Sequence, residues 1–221
     1  MDRSRLMTGL DMMGISYDQT AIERFEAFHA ILDEYNQKMD LTAVLDEDER
    51  IDRHDLDSAA PLAKGLLVPD AKVIDVGTGA GFPGLPLALA CPELRVTLMD
   101  AQKKRLNFLQ AVIDDLQVRN VPLVHARAED GGRDALHREK YDRAVARAVA
   151  PLPVLCELLL PMVRPGGEML CYKGPAAEEE WQAGQKAAKL VGGGELSRVP
   201  VILPTQPDWA HCVIRCPKTA K

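Results

Sequence analysis

Five short apolar runs recur at nearly constant intervals through the chain, and this spacing limits the fold more than any other feature. "KVIDV" ends at Val76, "LRVTLM" at Met99, "VPLVH" at His125, "YDRAVA" at Ala146 and "GEMLCY" at Tyr172, so successive ends lie 23, 26, 21 and 26 residues apart. Each interval is a natural length for one βα unit of a parallel sheet. The intervening segments carry helical periodicity. Leu106, Leu109, Ile113 and Leu116 share one face of a helix over 102–116, and "PLPVLCELLLPMV" opens on prolines and stops before "RPGG", the usual asymmetry of helix ends. After a polar helix around 176–190, "SRVPVIL" and "AHCVIRC" follow closely across a Pro-rich loop, which predicts an antiparallel pair finishing one edge of the sheet. Residues 69–221 therefore read as a doubly wound, Rossmann-like α/β domain with a mostly parallel seven-stranded sheet and an antiparallel final strand.

The pattern before residue 69 is different. Ile22, Phe25, Phe28, Leu32, Tyr35 and Met39 recur in steps of three and four on one helical face, with Thr20 and Glu23 in a capping-box pattern at the start. A second, more acidic helix is predicted within 46–66, and Pro69 closes the section, so residues 1–68 read as a small helical cap. With 221 residues, 47% of them hydrophobic, the chain can bury one sizeable core. It has neither an apolar run of about 18 residues nor a signal-like N-terminus, so a cytoplasmic protein without membrane contact is expected. Five scattered cysteines without a C-x-x-C pair predict reduced thiols and no metal site. A net charge of −6 does not suit indiscriminate coating of nucleic acid, although it permits a local basic patch.

The first strand runs into "VGTGAGFPG". Gly77, Gly79 and Gly81 read G-x-G-x-G, and Phe82 stands where a dinucleotide fingerprint needs its third glycine. A pyrophosphate requires a helix N-terminus close by, whereas an adenosine bearing a sulfonium and an amino-acid tail requires only a close backbone. Asp100 closes the second strand, 19 residues after Gly81, where a carboxylate can accept from both ribose hydroxyls. Asp75 is placed either to orient the loop or to meet a cofactor ammonium. With "LLLPMVRPGGEMLCYKG" near the far edge, and without the C-x-x-x-C-x-x-C of radical enzymes, these features resemble class I methyltransferases that use S-adenosylmethionine.

The segment after the fourth strand, "AVARAVAPL", contains neither the [N/D]-P-P-[Y/F] box of amino-methylating enzymes nor a Pro-Cys nucleophile, and presents Arg147 instead. This suits an acceptor with an available lone pair, such as guanine N7, whose attack needs no general base and rests on positioning and electrostatics. At this point "YNQKMDLTAV", "RHDLDSAAPL", "DVGTGAGFPGLPLA", "RAED", "YDRAVARAVAPL" and "GGEMLCYKG", in that order and spacing, resemble the bacterial 16S rRNA guanine-N7 methyltransferase family, RsmG or glucose-inhibited division protein B. The resemblance implies methylation of guanine N7 in the 530 loop of 16S rRNA, on free RNA or the small ribosomal subunit. It places Gly77, Phe82, Ala128, Glu129 and Arg147 at the cofactor site, to which the motif and ribose arguments add Gly79, Gly81 and Asp100; Arg147 is the catalytic candidate. Lys103, Lys104 and Arg105 open a helix, where the macrodipole disfavours cations, and so point to an RNA phosphate. Arg127 and Lys173 fall on the same ligand face, and His54 is a further candidate for RNA or the cofactor mouth. Aromatics are only 5% of the chain, too few for a single-strand stacking platform. Asp40 departs from the asparagine usual in the family, and the C-terminal strand ends less lysine-rich than is typical. A monomer is expected. A class I methyltransferase acting on a small molecule or protein side chain, and a non-catalytic cofactor-binding module of the ribosome, remain as alternatives at this level.

Overall fold

A computed structural model describes residues 1–220. Seven strands form one sheet: β1 (Lys72–Val76), β2 (Arg95–Asp100), β3 (Leu123–His125), β4 (Tyr141–Arg147), β5 (Val163–Lys173), β6 (Ser197–Leu203) and β7 (Gln206–Pro217). Their spatial order is β3-β2-β1-β4-β5-β7-β6. β1 to β5 are parallel, and β7 runs antiparallel between β5 and β6. The chain reverses its direction of travel between β1 and β4, and that switch point opens a crevice at the C-terminal ends of the strands, where open α/β sheets bind ligands.

Alternation along the strands feeds two cores. Val73, Leu98, Val145 and Leu170 face one layer, and Ile74, Met99, Ala144 and Met169 face the other. On the second face lie α8 (Leu152–Leu159) and α9 (Trp181–Leu190), contributing Leu152, Leu155, Cys156 and Ala188. On the first lie α5 (Gly84–Ala90) and α6 (Lys103–Asp115). The N-terminal segment joins that same core through α1 (Arg3–Met12), α2 (Gln19–Met39), a π-helical turn, Ile51–Leu56, and α4 (Asp57–Ala63), the short α3 (Glu47–Arg50) leading into the turn. The α2 stripe buries Ile22, Phe25, Phe28 and Leu32, while the Tyr35 ring packs tilted against Phe108 of α6 at 5.2 Å between centres.

Two local expectations need correction. The α2 cap is Asp18, whose Oδ1 accepts from the Ala21 N–H at 2.7 Å; Thr20 already lies inside the first turn, so the Thr20/Glu23 capping box does not form. α8 stops at Leu159, and "RPGG" belongs to β5, because Val163 already pairs with Tyr141. Gly167 serves this early start, since a Cβ there would come within 2.5 Å of the Asp142 carbonyl oxygen. Asp40 is the α2 C-cap in the left-handed region at φ 48°, a conformation for which Asn and Asp are suited. Asn36 holds the turn beyond it, its Oδ1 accepting from Leu41 and Thr42 N–H at 2.6 and 2.9 Å.

The π-helical turn and the start of α4 bury three carboxylates, each matched to a different element. Asp52 takes Arg5 of α1 (2.5 Å) and Thr205 of the β6–β7 turn (2.7 Å), Asp55 takes His29 of α2 (2.7 Å), and Asp57 reaches the sheet. Removing one member of such a pair strands the other in a dry interior. Asp55→Ala is therefore predicted to cost about 2–3 kcal/mol in urea unfolding, whereas Glu34→Ala, which breaks only the exposed Glu34–Lys38 pair, leaves the midpoint unchanged.

Candidate cofactor and substrate site

The glycine turn is built from backbone outward. Gly77, Gly79 and Gly81 have φ of 73°, 61° and 98°, a region that disfavours any side chain. The N–H groups of Gly77 and Thr78 donate to the Met99 carbonyl at 2.9 and 3.0 Å, tying the turn to β2. Gly77 also admits Val149 from the loop after β4, since a Cβ there would meet Val149 Cγ2 at 2.8 Å. Two carboxylates hold the turn from its ends. Asp75 Oδ2 accepts from Thr78 Oγ1 (2.6 Å) and from the Gly84 N–H that opens α5 (2.8 Å), while its buried Oδ1 has no partner. Asp100 Oδ2 accepts from Gly79 N–H (2.9 Å), its Oδ1 accepts from Gln102 N–H (2.7 Å), and Arg105 Nη1 stands 3.5 Å from Oδ2.

Beside this turn lies a cavity of about 350 Å³ at the C-terminal ends of β1, β2 and β3. Gly77, Asp100, Ala128 and Glu129, four of the residues expected at the cofactor site, line it, and so do Arg105 and Arg127, which the sequence places among the RNA contacts. A larger cavity, about 1000 Å³, lies at the other end of the sheet around Arg95, the first residue of β2, remote from the switch point.

The remaining candidates are placed elsewhere. Gly79 contributes its N–H to Asp100, and Gly81 abuts Leu109 beneath the loop. Phe82 is no wall of the cavity: the chain turns inward on the Phe82 N–H bond to the Thr78 carbonyl (3.0 Å), and the ring packs under the cap at 5.4 Å from Phe28 and 4.4 Å from His54. His54 is stacked on that ring with Nε2 2.8 Å from Thr42 Oγ1. Burial, and then the Arg147 charge, push its pKa down to about 3, so it is neutral at physiological pH and brings no charge to an RNA phosphate. Lys173 Nζ is spent on Glu180 (2.8 Å) and the Ala150 carbonyl (3.0 Å); Glu180 also accepts from Leu152 N–H, so this pair closes the "AVAPL" loop rather than facing RNA. Lys103 and Lys104 are exposed on the first turn of α6, with no ion pair among the described residues. Arg127 is exposed at the start of α7 (Ala128–Gly131).

Arg147 ends β4 on the cap side of the switch point. Its Nη1 donates to Asp57 Oδ2 and to the Arg53 carbonyl, both at 3.0 Å, and its guanidinium lies 5.4 and 5.9 Å from the centres of the Phe82 and Tyr172 rings. Both hydrogen bonds leave from Nη1, so Nε and Nη2 stay available. The next residue, Ala148, has φ 56°, and it and Val149 line the cavity, whereas the Arg147 guanidinium is held toward the cap. Asp57, Arg53 and Tyr172 were not singled out from sequence. The available signal was the acid spacing in "RHDLDS", which only the fold connects to β4. Among the described residues, no group of three or more His, Cys, Asp or Glu side chains could hold a metal ion, and no helix is long and apolar enough to cross a membrane.

A mostly parallel seven-stranded sheet in this order, with a glycine turn after β1 and an acid ending β2, is the class I methyltransferase fold. Solved structures agree on the fold: the S-adenosylmethionine-dependent methyltransferase SibL has a TM-score of 0.58 at 19% identity, covering 98% of this chain and 73% of that one. Aeropyrum pernix fibrillarin, solved with natively bound S-adenosyl-L-methionine, has a TM-score of 0.53 at 20% identity, covering 72% of this chain and 73% of that one. The family model described as rRNA small subunit methyltransferase G matches residues 21–206. Proteins named ribosomal RNA small subunit methyltransferase G are 42% identical in Thermoanaerobacter sp. (strain X514), over 95% of this chain and 87% of the relative, and 45% identical in Acetivibrio thermocellus, over 86% and 78%. The chain belongs to the rRNA small subunit methyltransferase G family.

Asp75 makes the turn sensitive to pH. Burial raises its pKa from 3.8 to about 6 against the opposing bonds from Thr78 and Gly84. The folded protein thus keeps this proton where the unfolded chain has lost it, a contribution to stability that is complete below pH 3.8 and is lost as pH rises to about 6. Asp75→Asn is predicted to show a flatter dependence of unfolding free energy on pH over that window than the wild type; parallel curves from denaturant titrations would contradict it.

Proposed function

We propose that the chain transfers the methyl group of S-adenosylmethionine to N7 of a guanine in the 530 loop of 16S rRNA. The observation that carries this reading is Arg147, whose Nε and Nη2 have no hydrogen-bond partner among the described residues and whose chain neighbours Ala148 and Val149 line the cavity, at the position where other class I enzymes place an amine acceptor or a thiol. The residues present fit the cofactor. Gly77 leaves the cavity floor without a side chain, Asp100 and Glu129 supply acceptors for ribose and adenine hydrogen-bond donors, and Asp75 Oδ1 is a buried acceptor still lacking a donor. When bound, S-adenosylmethionine supplies a methyl group on an electron-deficient sulfur.

The chain's own part is orientation. Guanine N7 attacks with its lone pair and loses no proton, so no general base is required. The site agrees with that requirement, because His54 is neutral but fastened to Thr42 and stacked on Phe82, and Asp57 is paired with Arg147. The free edge of Arg147 suits the O6 edge of guanine, an adjoining phosphate or the cofactor carboxylate. Arg127 lines the cavity, and the exposed Lys103 and Lys104 follow its Gln102 on the first turn of α6; these are the proposed phosphate contacts, which gives an acidic protein a local basic rim. In this reading residues 1–68 act as a cap beside the RNA path and 69–221 as the cofactor domain, in a cytoplasmic monomer whose partner is 16S rRNA or the small ribosomal subunit.

Incubation with methyl-labelled S-adenosylmethionine and undermethylated small subunits, naked 16S rRNA or a metabolite pool, followed by nucleoside analysis, tests the assignment. Label is expected in 7-methylguanosine alone, and label in another base or only in small molecules overturns it. Arg147→Ala is expected to lower methylation of every competent RNA by roughly a hundredfold. The Lys103→Ala/Lys104→Ala variant is expected to lower the slope of log affinity for RNA against log salt by about 1–2, with cofactor affinity unchanged.

A further inference from the structure

Of the three buried carboxylates in the cap, Asp57 alone reaches two strands of the sheet at once. Its Oδ2 takes Arg147 at the end of β4 (3.0 Å), and its Oδ1 lies 3.3 Å from Nδ1 of His211 on β7. Two further contacts clamp the same spot: the Arg53 carbonyl accepts from Arg147 Nη1, and Tyr172 at the end of β5 donates from its hydroxyl to the Ser58 carbonyl at 2.7 Å. The segment from Arg53 to Ser58 thus grips β4, β5 and β7 together, and Asp57 is only 1% exposed within it.

We propose that Asp57 is a positioning residue for methyl transfer, acting through Arg147, and that the cap exists in part to supply it. The proposal rests on the reading of Arg147 given above. An arginine ending a strand has four side-chain torsions to freeze. Asp57 freezes them before the substrate arrives, by holding Nη1 while the guanidinium lies 5.4 and 5.9 Å from the Phe82 and Tyr172 ring centres, and it leaves Nε and Nη2 without a partner among the described residues. With both carboxylate oxygens facing partners and the side chain buried, Asp57 is out of reach of a substrate proton. Its charge also offsets that of Arg147, so the arginine contributes directed N–H donors more than net positive charge.

A double-mutant cycle on RNA methylation tests the proposal, using Asp57→Asn, Arg147→Ala and the two combined, each checked for folding by circular dichroism. Asp57→Asn is expected to lower kcat on the order of tenfold or more, as a slight misplacement does, with a smaller effect on KM for S-adenosylmethionine because the residues that line the cavity are left in place. The double variant is expected to match Arg147→Ala alone. A further tenfold loss in the double variant, or wild-type kcat in Asp57→Asn, overturns the role of Asp57 while leaving that of Arg147 intact. Full activity of Arg147→Ala instead removes the reading of the arginine, and this proposal with it. Should Asp57→Asn fail to fold, Arg147→Met is compared with Asp57→Leu/Arg147→Met, in which no charge is left unpaired. Equal residual activity supports the proposal, and an additional tenfold loss overturns it.

Discussion

The rest of the site depends on a turn of three left-handed glycines held at both ends by carboxylates, Asp75 from β1 and Asp100 from β2. Asp75 ties the turn to the first N–H of α5, one of the donors a helix start leaves unpaired. Asp100 ties it to α6 through Gln102. These two acids, at or next to the ends of the central strands, therefore set where the following helices begin, and the cavity is what remains between them. Because the turn is fastened through backbone groups, its shape does not wait for a ligand. This is the preorganisation a cofactor site needs.

The cap completes the site from the other side. Its buried acids do not strengthen a helix; each joins the cap to something else, Asp52 to α1 and the β6–β7 turn, Asp55 to α2, and Asp57 to β4 and β7. Buried pairs of this kind contribute little net stability over apolar packing, but they tolerate no other arrangement. The cap and sheet share one core, so small movements of one are transmitted to the other. Arg147 sits at that seam, between the Phe82 ring beneath the glycine turn and the Tyr172 ring of β5.

Much of the fold was legible because it rests on periodicity. The constant interval between apolar runs follows from the length of a βα unit, and the α2 stripe from 3.6 residues per turn. Among the cavity residues, Gly77 was legible from the glycine turn and Asp100 from the strand end it closes, whereas Ala128 and Glu129 were reached only through the family resemblance. What could not be read were the partners. Lys173 looks like a free cation at a strand end until α9 brings Glu180 to 2.8 Å, and His54 looks like an exposed base until Phe82 stacks on it. Asp57 and Arg147 lie ninety residues apart, and no local pattern announces a pairing across that distance. Phe82 was misplaced for a related reason: the position after a tight turn can face either side, and only the packing of Phe28 and His54 decides which.

The central claim is that the carboxylate-braced turn is the floor of a methyl-donor site. Calorimetric titration of the protein with S-adenosylmethionine in the absence of RNA, compared with Asp100→Ala, tests it most directly. The account predicts one equivalent bound per chain by the wild type, affinity reduced on the order of tenfold or more in the variant through loss of charged hydrogen bonds, and no binding of a dinucleotide. Unchanged affinity in Asp100→Ala, or preferential binding of a dinucleotide, would contradict it.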